Sequence, residues 1–98
     1  MELQFKSDDL DRLETDGDFN GGYSQAIVSA YRKRVQYIRA AHDERDFYAL
    51  KSLHFEKLKG DRSHQCSMRL NNQWRLILEF HREMSPLTVV VIGIEDYH

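Results

Sequence analysis

The sequence predicts an α+β fold in which helices precede a sheet. Two observations predict it: apolar residues recur every three or four positions across the first half of the chain, and every second position across its last third. Helices followed by a run of strands give an α+β arrangement, not an alternating α/β one. At 98 residues there is room for one core and no second domain, so residues 1–98 read as a single domain.

Residues 2–6 (ELQFK) alternate weakly and read as a short strand. Ser7 is a candidate N-cap, with Asp8 and Asp9 in the first turn of a helix over about 8–16. Gly17 to Gly22 (GDFNGG) is turn chemistry that separates two helices. From Tyr23 to about Asp43, the residues Tyr23, Ile27, Tyr31, Val35 and Ile38 form one apolar stripe, with Ala30 and Ala41 filling in. The stripe reads as core packing against a sheet, and the other surface carries Arg32, Lys33 and Arg39. The connector 44–64 has no clear period. Beyond it, Cys66, Met68 and Leu70 alternate with polar residues, then Trp74, Leu76, Leu78 and Phe80 do the same, and TVVVIGIEDYH runs to the end. These segments read as strands.

Composition is 41% apolar and 31% charged with one proline, which points away from disorder and repeats. No apolar run approaches the roughly 20 residues of a membrane span, and MELQFKSDD lacks the blocks of a signal peptide. The expected location is therefore the cytoplasm. The lone cysteine, Cys66, fits a reducing compartment and reads as a small core residue. The net charge of −2 conceals an asymmetry. Residues 1–20 carry seven acids against Lys6 and Arg12, a balance of −5, while residues 31–75 carry eleven bases against five acids, a balance of +6. A concentrated basic surface attracts phosphates whatever the total.

If the first two long strands form a hairpin, their apolar sets share a face only when the loop has an odd number of residues, most simply Asn71, Asn72 and Gln73. That register pairs Leu70 with Trp74 and Met68 with Leu76, and sets Arg69 directly opposite Arg75 on the other face. Like charges directly opposite are unfavourable, so the pair asks for an anion. Glu79 or another carboxylate is one answer, and a phosphate is the other.

Cutting RNA without a metal needs a base near a 2′-hydroxyl, cationic donors around the phosphate and an acid for the leaving oxygen. Suitable groups stand in three segments: Lys57, Lys59 and Arg62 around LKGDR; Arg69 and Arg75 in the hairpin; and Asp96, Tyr97 and His98 at the end. His54 lies near the cationic turn. No zinc-ligand spacing and no phosphate-cradling glycine loop is present in the sequence, so no cofactor is expected.

In their order along the chain, LKGDR at 58–62, SMRLNNQWRLILEF at 67–80 and EDYH at 95–98 resemble the HigB-type toxins of the RelE superfamily. The resemblance covers about the last 40 residues well, and the first half in element order. It implies a RelE-like fold, with two N-terminal helices on a twisted, mostly antiparallel sheet. It also implies cleavage of mRNA in the ribosomal A site by attack of a 2′-hydroxyl on its adjacent phosphate. Lys59 and Arg75 match positions that bind the scissile phosphate, Asp96, Tyr97 and His98 match the catalytic group, and Arg62 and Arg69 match basic positions near it. Some members carry a histidine where this chain has Glu56; His54 either substitutes from the same side of an extended segment, or the role is missing. The implied partners are a HigA-like helix-turn-helix antitoxin, the ribosome and mRNA, with operator DNA reached only through the antitoxin and no membrane. Acidic antitoxin residues are expected near Arg32, Lys33 or LKGDR. The alternative on the same fold is a non-enzymatic, ParE-like toxin that binds and poisons DNA gyrase.

Overall fold

The computed structural model describes residues 1–97. The chain opens with β1 (Glu2–Phe5) and α1 (Asp8–Thr15). Ser7 caps α1 as expected, its hydroxyl accepting from Leu10 N at 3.3 Å, with Asp8, Asp9 and Asp11 in the first turn. Helix α2 (Gln25–Ala40) starts later than the apolar stripe indicates, because Ser24 caps it by accepting from Ile27 N at 3.3 Å. Tyr23 thus lies outside the helix, where its ring meets Trp74 edge-on at 6.1 Å. The helix also ends before Asp43, whose carboxylate instead accepts from Arg45 N at 2.8 Å as a new turn begins.

The unreadable connector contains α3 (Arg45–Ala49), a 3-10 turn (Lys51–Leu53), β2 (Glu56–Lys57) and a second 3-10 turn (Gly60–Arg62). These pieces are too short to show a period, yet they carry Phe47 and Leu53, both fully buried. Three longer strands follow: β3 (Gln65–Arg69), β4 (Trp74–His81) and β5 (Thr88–Asp96).

The five strands form one sheet in the order β1-β5-β4-β3-β2. Only the β1–β5 pair is parallel; the other three pairs are antiparallel. The β3–β4 hairpin has the register expected from loop parity, with Met68 opposite Leu76 and Arg69 opposite Arg75, and Leu70 N donates to Trp74 O at 3.0 Å. A bulge between Ile77 and Leu78 shifts the pairing with β5, so that Ile77 faces Gly93 and Leu78 faces Val91.

One face of the sheet builds the core. Cys66, Met68, Leu70, Leu76, Leu78, Val89 and Val91 pack with Ile27, Val28, Tyr31, Val35 and Ile38 of α2. Each fully buried aliphatic side chain contributes roughly 1.5–3 kcal/mol. Burial pushes the Cys66 thiol above its ordinary pKa, which suits a packing role. Helix α1 is fastened to α2 by polar groups: Arg32 donates to Leu13 O at 2.8 Å and Asp16 O at 3.1 Å, and Arg39 grips Glu14 at 2.8 and 2.7 Å. Part of the acidic–basic asymmetry is therefore neutralised inside the fold. Among the described residues no helix is long and apolar enough to cross a membrane.

Tyr31 links the same two helices from within the core, its hydroxyl donating to Leu10 O at 2.7 Å. Tyr31→Phe is expected to lower stability by about 1 kcal/mol in urea unfolding, since a buried carbonyl loses its extra donor. Burial also raises the Tyr31 pKa above its ordinary 10.0. Its stabilising contribution is then fully present below about pH 10 and declines as pH rises further, because the unfolded chain ionises first. The variant should lose less stability than the parent above that pH; identical alkaline limbs in the two proteins would contradict this account.

Candidate functional site

Because side chains alternate along a strand, the residues between the core positions of β3, β4 and β5 point to the other face of the sheet. Gln65, Ser67 and Arg69 lie there beside Arg75, Ile77 and Glu79, and Gly93 and Glu95 complete two rows. In the first row Glu56 pairs with Ser67, Ser67 with Ile77 and Ile77 with Gly93; in the second Arg69 pairs with Arg75 and Arg75 with Glu95. Ser67 and Ile77 are each only 2% exposed although they stand outside the main core cluster. The turn after β2 covers them. Gly60 allows that turn, adopting φ 66, which a residue with a Cβ disfavours.

The result is a pocket of about 150 Å³ lined by Leu58, Arg62, Ser67, Arg75, Ile77, Glu95, Asp96 and Tyr97. Leu58 and Ile77 supply an apolar floor. Arg62 reaches over it from the 3-10 turn and makes a bidentate ion pair with Glu95 at 2.8 and 2.7 Å. Both side chains are nearly half exposed, so the pair adds at most about 1 kcal/mol of stability. The Ser67 hydroxyl is buried and has no hydrogen-bond partner among the described residues.

Arg75 stands at the pocket mouth. Its guanidinium donates to Asn71 O at 2.7 Å and Trp74 O at 3.2 Å, and lies 4.0 Å from the centroid of the Tyr97 ring. Such a cation–π contact holds a guanidinium in place without neutralising it. Arg69 turns the other way, donating to the Asn72 side chain and lying 3.5 Å from His54 Nε2. The two opposed cations are thus drawn apart, Arg75 by carbonyls and an aromatic ring and Arg69 by an amide oxygen. Glu79 does not relieve them: it accepts from Gln65 at 3.2 Å and lies 3.3 Å from His81. Among the described residues neither Arg69 nor Arg75 has an ion pair.

The hairpin loop also places the end of β5. Asn71 Oδ1 accepts from Gln73 N and Trp74 N, each at 2.8 Å, which shapes the turn. Gln73 then accepts from Tyr97 N at 2.6 Å and donates its side-chain amide to Asp96 at 3.1 Å. One three-residue loop therefore positions Arg75, Asp96 and Tyr97 together.

The structure gathers Arg62, Arg75, Asp96 and Tyr97 around one pocket, with Arg69 and His54 adjoining. His54 is not in an extended segment: it caps the 3-10 turn in a left-handed conformation (φ 46, ψ 45), and from there its ring reaches Arg69. Lys59 sits at the start of the covering turn, exposed, next to Leu58 but outside the pocket lining. Lys57 is not brought to the pocket; it lines a separate cleft with Tyr48, His64, Cys66 and Arg82. His98 lies outside the described residues. Of the basic residues on α2, Arg32 and Arg39 are engaged with α1, so Lys33 and the LKGDR turn are what remain of the basic surface foreseen for a partner.

Leu58, Ser67, Ile77 and Glu95 were not singled out by sequence reasoning. One signal did exist, because Ile77 is apolar at an outward position between Arg75 and Glu79. Among the described residues no group of three histidine, cysteine, aspartate or glutamate side chains is arranged to hold a metal ion.

Comparison with known proteins gives a family. The family described as RelE-like toxin of type II toxin-antitoxin system HigB matches residues 3–98. Toxin HigB-1 of Vibrio cholerae is 30% identical over 80 residues, spanning 82% of this chain and 84% of that protein. The YoeB/ParE toxin from Agrobacterium tumefaciens shares the fold, with a TM-score of 0.62 over 100% of both chains at 16% identity.

The orphan hydroxyl at the pocket floor generates a stability test. Removing an unpaired buried polar group is neutral or favourable, so Ser67→Ala should keep or raise the melting temperature, by the equivalent of up to about 1 kcal/mol. A clear fall would mean that the hydroxyl is bonded in solution.

Proposed function

The chain belongs to the HigB family of RelE-like toxins of type II toxin–antitoxin systems, and from that premise we propose that it is a metal-independent, ribosome-dependent mRNA endonuclease. The observation that carries the proposal is Arg75, held at the pocket mouth by two carbonyls and the Tyr97 ring, with no ion pair among the described residues. A guanidinium so placed is available for a phosphate whose charge grows as the 2′-hydroxyl attacks. Arg69 and Arg62 extend the cationic surface on either side, and Lys59 and His54 stand at its margin.

The reaction requires a proton acceptor for the 2′-hydroxyl and a donor for the departing 5′-oxygen. Asp96 and Tyr97 lie on the pocket wall, and His98 follows them in the chain. In this reading Tyr97 and His98 serve proton transfer while Asp96, tethered by Gln73, helps to orient them. Glu56 is opposite Ser67 in β2 and so faces the same side as the pocket, where it offers a carboxylate for the role a histidine fills in some family members.

A toxin of this kind is partnered by an antitoxin. We place it as a HigA-like helix-turn-helix protein that masks the basic surface near Lys33 and the LKGDR turn and carries the complex to operator DNA. The ribosome and mRNA are the targets, and the cytoplasm is the setting.

Induction in cells followed by mapping of mRNA 5′ ends tests the activity. In-frame cuts on translated messages are expected, falling by at least about 100-fold in Arg75→Ala, since one oriented donor to a developing charge is worth that much. Deleting His98 alone should also abolish cutting while antitoxin binding persists. Growth arrest accompanied by DNA breaks and no mRNA cuts would replace the endonuclease with a gyrase-directed, ParE-like toxin.

A further inference from the structure

Arg62 is occupied in this structure. Its Nη1 and Nη2 donate to the two oxygens of Glu95, and its Nε donates to Gln65 Oε1 at 2.9 Å. The pair spans the pocket that both residues line. Glu95 is the cross-strand neighbour of Arg75, yet its bonds go to Arg62 on the covering turn. Beneath lies the Ser67 hydroxyl, buried and unpartnered among the described residues, which marks the pocket as built to receive a polar group. The fork that guanidinium presents to a carboxylate is the same one it presents to a phosphate.

We propose that Glu95 is an internal substitute for an RNA phosphate: it holds Arg62 in the empty pocket, and a phosphodiester of single-stranded RNA displaces it. This rests on reading the pocket as an RNA site and adds how its affinity is set. Each binding event exchanges the Arg62–Glu95 pair for an Arg62–phosphate pair. The exposure of both side chains keeps the first pair weak enough to be exchanged. Glu95 thereby lowers the affinity of the free protein for RNA and keeps Arg62 from gripping unrelated anions.

The test is a titration of the purified full chain with an uncleavable 2′-O-methyl RNA oligonucleotide at several salt concentrations, with melting temperatures confirming that each variant is folded. Glu95→Gln should tighten binding about two- to five-fold. The slope of log K against log salt should differ from the parent's by less than the roughly 0.7 of one single-strand phosphate contact, because Arg62 meets the phosphate in both complexes. The gain should vanish when Arg62→Ala is added, or Arg62→Gln if the alanine variant melts too low. Asp61→Asn, which removes the same charge from the covering turn, should produce a smaller change. Binding by Glu95→Gln that equals or falls below the parent overturns the proposal. So does a gain that survives loss of Arg62, or one matched by Asp61→Asn, since either makes Glu95 only one negative charge among others. If neither parent nor Glu95→Gln binds the oligonucleotide while cells still show in-frame cuts, this inference fails and the endonuclease reading stands. The expected affinity pattern without any cuts in cells has the opposite meaning.

Discussion

The constraint on which the rest depends is the parity of the loop Asn71–Gln73. Three residues between Leu70 and Trp74 bring the apolar sets of both strands to the helical side. The same parity leaves Arg69 and Arg75 no choice but to stand side by side on the other face. An even loop would turn the apolar set of one strand to the open face and its arginine to the core. The loop's own polar groups then extend its influence to β5, because Gln73 binds both Asp96 and the backbone of Tyr97. Packing, charge placement and the assembly of the pocket follow from one turn.

The fold treats its charges in two ways. Along α1 and α2 opposite charges and helix-end carbonyls meet, as with Arg39 on Glu14 and Arg32 on the end of α1, and this fastens the two helices together. On the open face of the sheet like charges are kept adjacent and held by neutral groups: a carbonyl, an amide oxygen, an aromatic ring. The first arrangement serves the structure. The second leaves two adjacent cations without an ion pair among the described residues, a surface that attracts anions.

Much of this was legible in the sequence where a period exists. The apolar stripe of α2 and the alternation of β3 and β4 stated which side faces the core, and parity supplied the hairpin register. The ends of α2 were less legible, because the stripe runs past both caps: Tyr23 belongs to it by spacing but packs from outside the helix. The connector was unreadable because elements of two to five residues repeat nothing. That gap hid the pocket, since Leu58 and Arg62 come from it and Ser67 and Ile77 are buried by it. It also misled about two side chains. Lys57 points to a different cleft, and His54 reaches Arg69 through a left-handed turn that no pattern announces.

The strand order has a consequence for how the molecule is made. Strand β5 follows the other four in the chain, yet it lies between β1 and β4, and its pairing with β1 joins residues 2–5 to residues 88–91. Without it β1 has no partner strand, and the helices lack the cover of Val89 and Val91. Contacts so distant in sequence form late. Because Glu95, Asp96 and Tyr97 belong to that strand and its end, the segment that completes the fold also completes the pocket. A chain without this segment therefore lacks both an inner strand of its sheet and a wall of its pocket.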